Sequence, residues 1–212
     1  MSQSDLSSSV SPLPSFPSSS GSWNFLPESH RQSLAEHWRE CLLSPDPVLR
    51  GFAVRFLSNP QINQGAYDAC LVQTLKNEKN PQVLAHFSRW YPVLPEYQET
   101  VRAHWITQLD SLETESRHRA IQALIFISRH DSRLDELLLH TLSHESHPDI
   151  LLSFARWRPQ NQNAFPSLVQ AWSQHLTATN LKEKTIAKWV CKQLSESQPT
   201  SPPSHFSLSP LQ

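Results

Sequence analysis

The sequence predicts an all-α protein: an α-solenoid of about five antiparallel helix pairs stacked one on the next. Three observations carry that prediction. The stretch Phe154-Ala155-Arg156-Trp157-Arg158-Pro159 echoes the earlier Phe87-Ser88-Arg89-Trp90-Tyr91-Pro92, with a looser echo farther back at Phe52-Ala53-Val54-Arg55-Phe56. Each echo follows a polar residue and a proline (Asp46-Pro47, Asn80-Pro81, His147-Pro148), and the step from Pro81 to Pro148 is close to twice the step from Pro47 to Pro81. A fixed period in the range of roughly 20–50 residues marks a repeat architecture, and the shorter step falls inside that range. Finally, the chain has only 3 glycines among 212 residues. Leu, Ala, Gln and Glu are plentiful and β-branched runs are short, which favours helix throughout.

Taken in order, residues 1–26 form a serine- and proline-rich tail with too little apolar surface to offset the entropy of ordering it. The first helix is expected over 28–43, with Leu34, Trp38, Cys41 and Leu42 at helical spacing. Ser44-Pro45-Asp46-Pro47 is a turn, in which Asp46 caps the next helix and Pro47 occupies its first position. The return helix follows over 48–58. Later pairs are expected at 66–77 with 82–91, 97–112 with 116–128, 132–142 with 149–157, and 164–176 with 182–194. Pro81 and Pro148 repeat the role of Pro47. The helical region thus spans 27–196, and 197–212 is a second tail of the first one's composition.

One helix pair cannot hide its own apolar stripe, so each buries it against the next. Trp90 and Trp157 hold equivalent places and are expected in or beside the seams between pairs. Cys41, Cys70 and Cys191 are odd in number and far apart, which predicts buried free thiols in a reducing, cytoplasmic compartment. No apolar run approaches the roughly 20 residues of a membrane span. The N-terminus lacks the basic and apolar regions of a secretory signal.

The stretch Leu42-Leu43-Ser44-Pro45-Asp46-Pro47-Val48-Leu49-Arg50-Gly51-Phe52-Ala53-Val54-Arg55-Phe56-Leu57 resembles a HEAT repeat. In that family an Asp-Pro turn leads into a second helix carrying an aliphatic-Arg pair, then an alanine and a leucine. Here those positions are Leu49, Arg50, Ala53 and Leu57. Leu84 and Leu151 stand at the arginine position of later units, and Phe87 and Phe154 at the alanine position. The third return helix, around Arg119, has no proline in its turn, and the fifth carries Lys184, Ala187 and Cys191 in frame. The resemblance spans residues 28–195 and implies a right-handed, armadillo-type solenoid. The Trp-x-x-Leu-Gly-x-x-Tyr signature of tetratricopeptide units and the Thr-Pro-Leu-His of ankyrin units are both missing.

Net charge is −1, which by itself predicts no polyanion or membrane partner. The distribution is uneven. Most Lys and Arg residues fall on the return helices, and most acids fall on the first helices, the loops and the tails. The HEAT resemblance implies that the return helices line a concave face. That face would be basic, with Arg55, Arg89, Arg119, Arg156, Arg158 and Lys188 as candidate partner-binding residues, while Arg50 is a candidate structural partner for a turn acid. Such a face suits an acidic protein surface, and the expected role is a non-catalytic interaction or scaffold module. The alternative is nucleic-acid binding in the same groove. HEAT-like DNA alkylpurine glycosylases share that architecture, and Trp105, Asp110, Arg117 and Arg119 resemble their groove residues in type. HEAT-like bilin lyase subunits share the Asp-Pro-x-aliphatic-Arg turn. A structural subunit of a larger complex is the remaining reading. His140, His144 and His147 have the spacing of a candidate zinc site on one helix face. No glycine-rich phosphate loop or Cys-x-x-Cys pair occurs, so no cofactor and no catalytic residue are expected.

Overall fold

The computed structural model describes residues 25–196. The tail segments 1–24 and 197–212 lie outside the described residues, and the expectation of disorder falls on them. Phe25 is exposed, whereas Leu26 already packs against the core. Among the described residues there are eleven α-helices and no strand. They are α1 (Glu28–Cys41), α2 (Pro47–Leu57), α3 (Pro60–Asn63), α4 (Asp68–Asn77), α5 (Pro81–Phe87), α6 (Pro95–Thr107), α7 (Thr114–Ser128), α8 (Leu134–His144), α9 (Pro148–Phe154), α10 (Phe165–Gln174) and α11 (Leu181–Glu196). No helix among them is long and apolar enough to cross a membrane.

The start signals act through backbone donors that a helix leaves unpaired. The Asp46 side chain accepts from the Val48 N–H, and Asn80 accepts from the N–H groups of Gln82 and Val83. Pro47, Pro81 and Pro148 each open a helix, where a missing N–H costs nothing. Asn59-Pro60 uses the same chemistry to start α3, a helix absent from the sequence-based expectation. Gln64 and Gly65 then end it at positive φ, 43° and 91°.

Two return helices are shorter than expected. α5 and α9 end at Phe87 and Phe154, so Trp90 and Trp157 lie in the turns that follow. Pro92 and Pro159 explain this, because a residue preceding proline disfavours the helical region. Both indoles are buried nonetheless. Each meets the phenylalanine three residues before it edge-on, and Trp157 Nε1 donates to Ser128 Oγ at 3.2 Å.

The second helices pack in succession, α2 on α5, α5 on α7, α7 on α9 and α9 on α11. Among the first helices, α4 packs on α6 and α8 on α10. One continuous apolar core runs between the two sets. Gly51 permits the closest α2–α5 approach, since a Cβ there would sit 3.1 Å from the His86 ring.

The repeat is most exact over two helix pairs, the interval from Phe87 to Phe154, rather than over one. Trp38, Trp105 and Trp172 are all buried at that interval, and so are Ala53, Ala120 and Ala187. The polar contacts repeat too. The Arg50 guanidinium donates to Glu78 at 2.8 and 3.0 Å and to the carbonyls of Ser44 and Pro45. Arg117, its counterpart two pairs on, donates to Glu145 and to the carbonyls of Ser111 and Leu112. Buried Asp68 accepts from the Leu94 N–H at 2.8 Å, and buried Asp135 accepts from the Asn161 N–H at 2.8 Å. The Thr74 and Thr141 hydroxyls donate to carbonyls one turn back. The chain is thus an internal duplication in which α1–α5 correspond to α6–α9, and α10 and α11 begin a third copy.

The last helices are held by His175, which is buried. Its Nε2 lies 2.8 Å from the Leu142 carbonyl and its Nδ1 2.7 Å from Glu183 Oε1, so one ring bridges α8 and α11. His175→Leu leaves Glu183 buried and unpaired, and should cost about 1–3 kcal/mol in urea unfolding. A change under a few tenths would show that the bridge contributes nothing. The three cysteines are free and half-buried rather than fully buried. Burial pushes all three thiols above their ordinary values, which keeps them protonated and poorly nucleophilic.

Candidate functional site: a basic face on the second helices

The basic residues divide into a clamped set and a free set. Arg50 and Arg117 are clamps, as described. Arg119 belongs with them: it is buried, and its guanidinium donates to Glu115 Oε1 at 2.8 Å and to Ser116 Oγ at 3.3 Å. A guanidinium so engaged is not offered to a partner. Arg158 is half-buried and turned back on its own turn, donating to the carbonyls of Trp157 and Ala155 at 2.7 and 3.3 Å. Burial lowers its pKa from the usual arginine value.

Arg55, Arg89, Arg156 and Lys188 are different. All four are exposed and form no ion pair among the described residues. Arg55 lies on α2, Arg89 and Arg156 just after α5 and α9, and Lys188 on α11. His86 reports the local field. Burial lowers its pKa first, and the positive charges of Arg55 and Arg89 lower it further. Two arginines of neighbouring helices therefore act on one imidazole. Arg129, just beyond α7, is also exposed, and its guanidinium sits 5.9 Å from the Phe126 ring centroid. Acids on these helices are sparse, with Glu115, Asp149 and Glu196 exposed.

Residues identical between the two copies mostly serve the scaffold, among them Trp38 and Trp105, Leu42 and Leu109, Arg50 and Arg117, Leu75 and Leu142, and Trp90 and Trp157. Arg89 and Arg156 are the identical pair exposed in both copies of the described region.

Between α5, α7 and α9 the face opens into a cleft of about 410 Å³ lined by Ser88, Arg89, Gln122, Ile125, Phe126, Arg129 and Ser153. Behind it, His118 Nε2 lies 2.9 Å from Ser153 Oγ and 3.0 Å from the Gln122 amide nitrogen, tying α7 to α9. Of the lining residues, the sequence reading offered Arg89 alone as a binding residue. Phe126 and Arg129, three apart on α7 and its cap, carry the signal that could have found the cleft, an apolar ring and a cation on one helix face.

The histidine candidates do not converge. His140 and His144 stack at 4.3 Å between centroids, and a ring nitrogen of His144 is engaged by the His140 carbonyl at 2.8 Å. His147 sits beyond the helix, at the cap of α9. Among the described residues no three His, Cys, Asp or Glu side chains could together hold a metal ion. Of the glycosylase-like quartet, Trp105 and Arg119 line one cavity, but Trp105 is buried in the core and Arg117 and Arg119 are held by Glu145 and Glu115. No protein-family model matches the chain, and no curated protein and no solved structure matches it.

Proposed function

We propose that this protein is a HEAT-like α-solenoid whose second helices present a basic concave face to an acidic surface of a partner protein. It acts as a non-catalytic interaction module. The observation that carries this reading is the pair Arg89 and Arg156, exposed, without an ion pair among the described residues and retained in both copies of a duplication that otherwise kept its scaffold. A helix C-terminus favours any nearby cation by about 0.3–1 kcal/mol, which accounts for positive charge but not for arginine twice. The side-by-side second helices support the solenoid, and the three unpaired thiols support a cytoplasmic location.

The test uses the full-length chain with Arg89→Glu and Arg156→Glu combined. Binding of a fluorescent glutamate-rich peptide is read by anisotropy beside a single-stranded oligonucleotide, at about 50 and 200 mM salt. The double variant should weaken peptide binding at least about tenfold, equal to about 1.4 kcal/mol, with the helical circular dichroism intact. Unchanged peptide binding removes the face from the account. Tight oligonucleotide binding that collapses at high salt would instead make the groove a nucleic-acid site.

A further inference from the structure

The second-helix face is not uniform, and a cleft between α5, α7 and α9 sits where the duplication has diverged. Phe126 of α7 corresponds to Asn59 in the first copy, and Gln122 corresponds to Arg55. The combination at the cleft therefore occurs once, set in a scaffold whose other features recur. Two exposed arginines, Arg89 and Arg129, border it. Its lining is mixed: Phe126 and Ile125 are half-buried, with Ile125 packed against the core, and Ser88, Ser153 and Gln122 supply polar groups beside them. A volume of about 410 Å³ lies near the lower end of the roughly 300–1,000 Å³ of small-molecule pockets. That is room for one large side chain and its neighbours.

We propose that this cleft is the docking point for an acidic peptide segment of the partner protein. One apolar or aromatic side chain rests on Phe126 and Ile125, and carboxylates on either side of it meet Arg89 and Arg129. The inference rests on the basic-face reading and names what that face recognises. Charge complementarity selects the acidic residues. The half-buried ring selects the apolar one, because an aromatic at an interface centre contributes far more than a rim charge. A nucleic acid fits less well. A phosphate backbone gains from charge spread along a track, whereas exposed acids, Glu115 and Asp149, stand in the first turns of α7 and α9 and the chain carries net −1.

The experiment uses the full-length chain and two fluorescent glutamate-rich peptides that differ only in the central residue, tryptophan in one and serine in the other. A single-stranded oligonucleotide is the third probe. The tryptophan peptide should bind at least about fivefold more tightly than the serine peptide. Phe126→Ala should erase that difference, and Arg129→Glu should weaken both peptides about tenfold. Lys76→Glu, the same charge change on α4, should leave both unaltered. Circular dichroism and the thermal midpoint report folding for every variant, and Arg129 is exposed enough that its replacement tests the cleft even if Phe126→Ala unfolds. Equal binding of the two peptides, with Arg89→Glu still harmful, overturns the cleft and leaves the basic-face reading standing. Failure of both peptides to bind the wild-type chain overturns the two together. Binding of the oligonucleotide alone assigns the face to nucleic acid and also overturns the peptide site.

Discussion

Trp105→Ala should destabilise the chain by about 3–5 kcal/mol in urea unfolding. Trp105 is 1 % exposed and is the central member of the series Trp38, Trp105 and Trp172. Burying an indole removes about 150–250 Å² from water, or roughly 4–6 kcal/mol gross at about 25 cal/mol per Å². Its Nε1 is buried without a hydrogen-bond partner among the described residues, so the native state already bears a desolvation cost that the substitution relieves, which keeps the expected loss below the gross burial. Small domains carry only about 5–15 kcal/mol of net stability, so much of the margin would go. The central position matters as well. α6 packs on both α4 and α7, and a void there weakens two interfaces, whereas Trp38 lies on α1, the first of the described helices, which packs on α2. Trp38→Ala should therefore cost less. A Trp105→Ala loss under about 1 kcal/mol would show that the seam closes around the deletion.

Much of this architecture could be read from residue order because it depends on local chemistry. A polar residue followed by proline opens α2, α5 and α9, with a side-chain cap at Asp46 and Asn80 though not at His147, and that pattern found all three helices while the same pattern at Asn59-Pro60 went unread. Helix ends were harder. The return helices were carried to Tyr91 and Trp157, although Pro92 and Pro159 argue for an earlier stop. The true period was obscured because a clamp arginine stands in alternate pairs, at Arg50 and Arg117, while Leu84 and Leu151 take its place between them. Over two pairs the clamp, its acid and the buried tryptophans fall into register. Charge was the least legible property. Composition counts Arg119 and Arg89 alike, but Glu115 lies one helical turn before Arg119 and captures it. That pairing is an i,i+4 relation present in the sequence. The folding back of Arg158 onto its own carbonyls and the opening of the cleft beside Phe126 depend on how neighbouring helices meet, which no local pattern encodes.

Glu78→Gln should be as costly as the tryptophan change at neutral pH, and the cost should shrink in acid. The Glu78 side chain is 4 % exposed. It accepts two hydrogen bonds from Arg50, and Oε1 also takes the N–H groups of Lys79 and Asn80. Removing its charge leaves a half-buried guanidinium with the Ser44 and Pro45 carbonyls but no counter-charge, at about 3–5 kcal/mol. Burial pushes the Glu78 carboxyl up, but the hydrogen bond from Arg50, those from the backbone and the arginine's charge outweigh it, so the carboxyl titrates below its ordinary range. A folded-state value below the unfolded one, about 4.3 for glutamate, means the stabilisation is complete above that pH. It is lost as pH falls through the folded value. Wild-type stability should accordingly decline in acid while Glu78→Gln declines less, so that the two curves converge. The variant keeps some acid sensitivity through Asp131, whose carboxyl is also held low, by the hydrogen bond from Arg133 first and by Arg102 as well. Urea midpoints from neutral pH down to about pH 3 decide the matter: parallel curves would mean that the Glu78 charge does not support the fold. Glu145→Gln probes the same clamp in the second copy. There the guanidinium reaches the carboxylate through one contact at 3.3 Å, so the loss should be the smaller of the two. That ordering separates the strength of each ion pair from the backbone hydrogen bonds that both acids share.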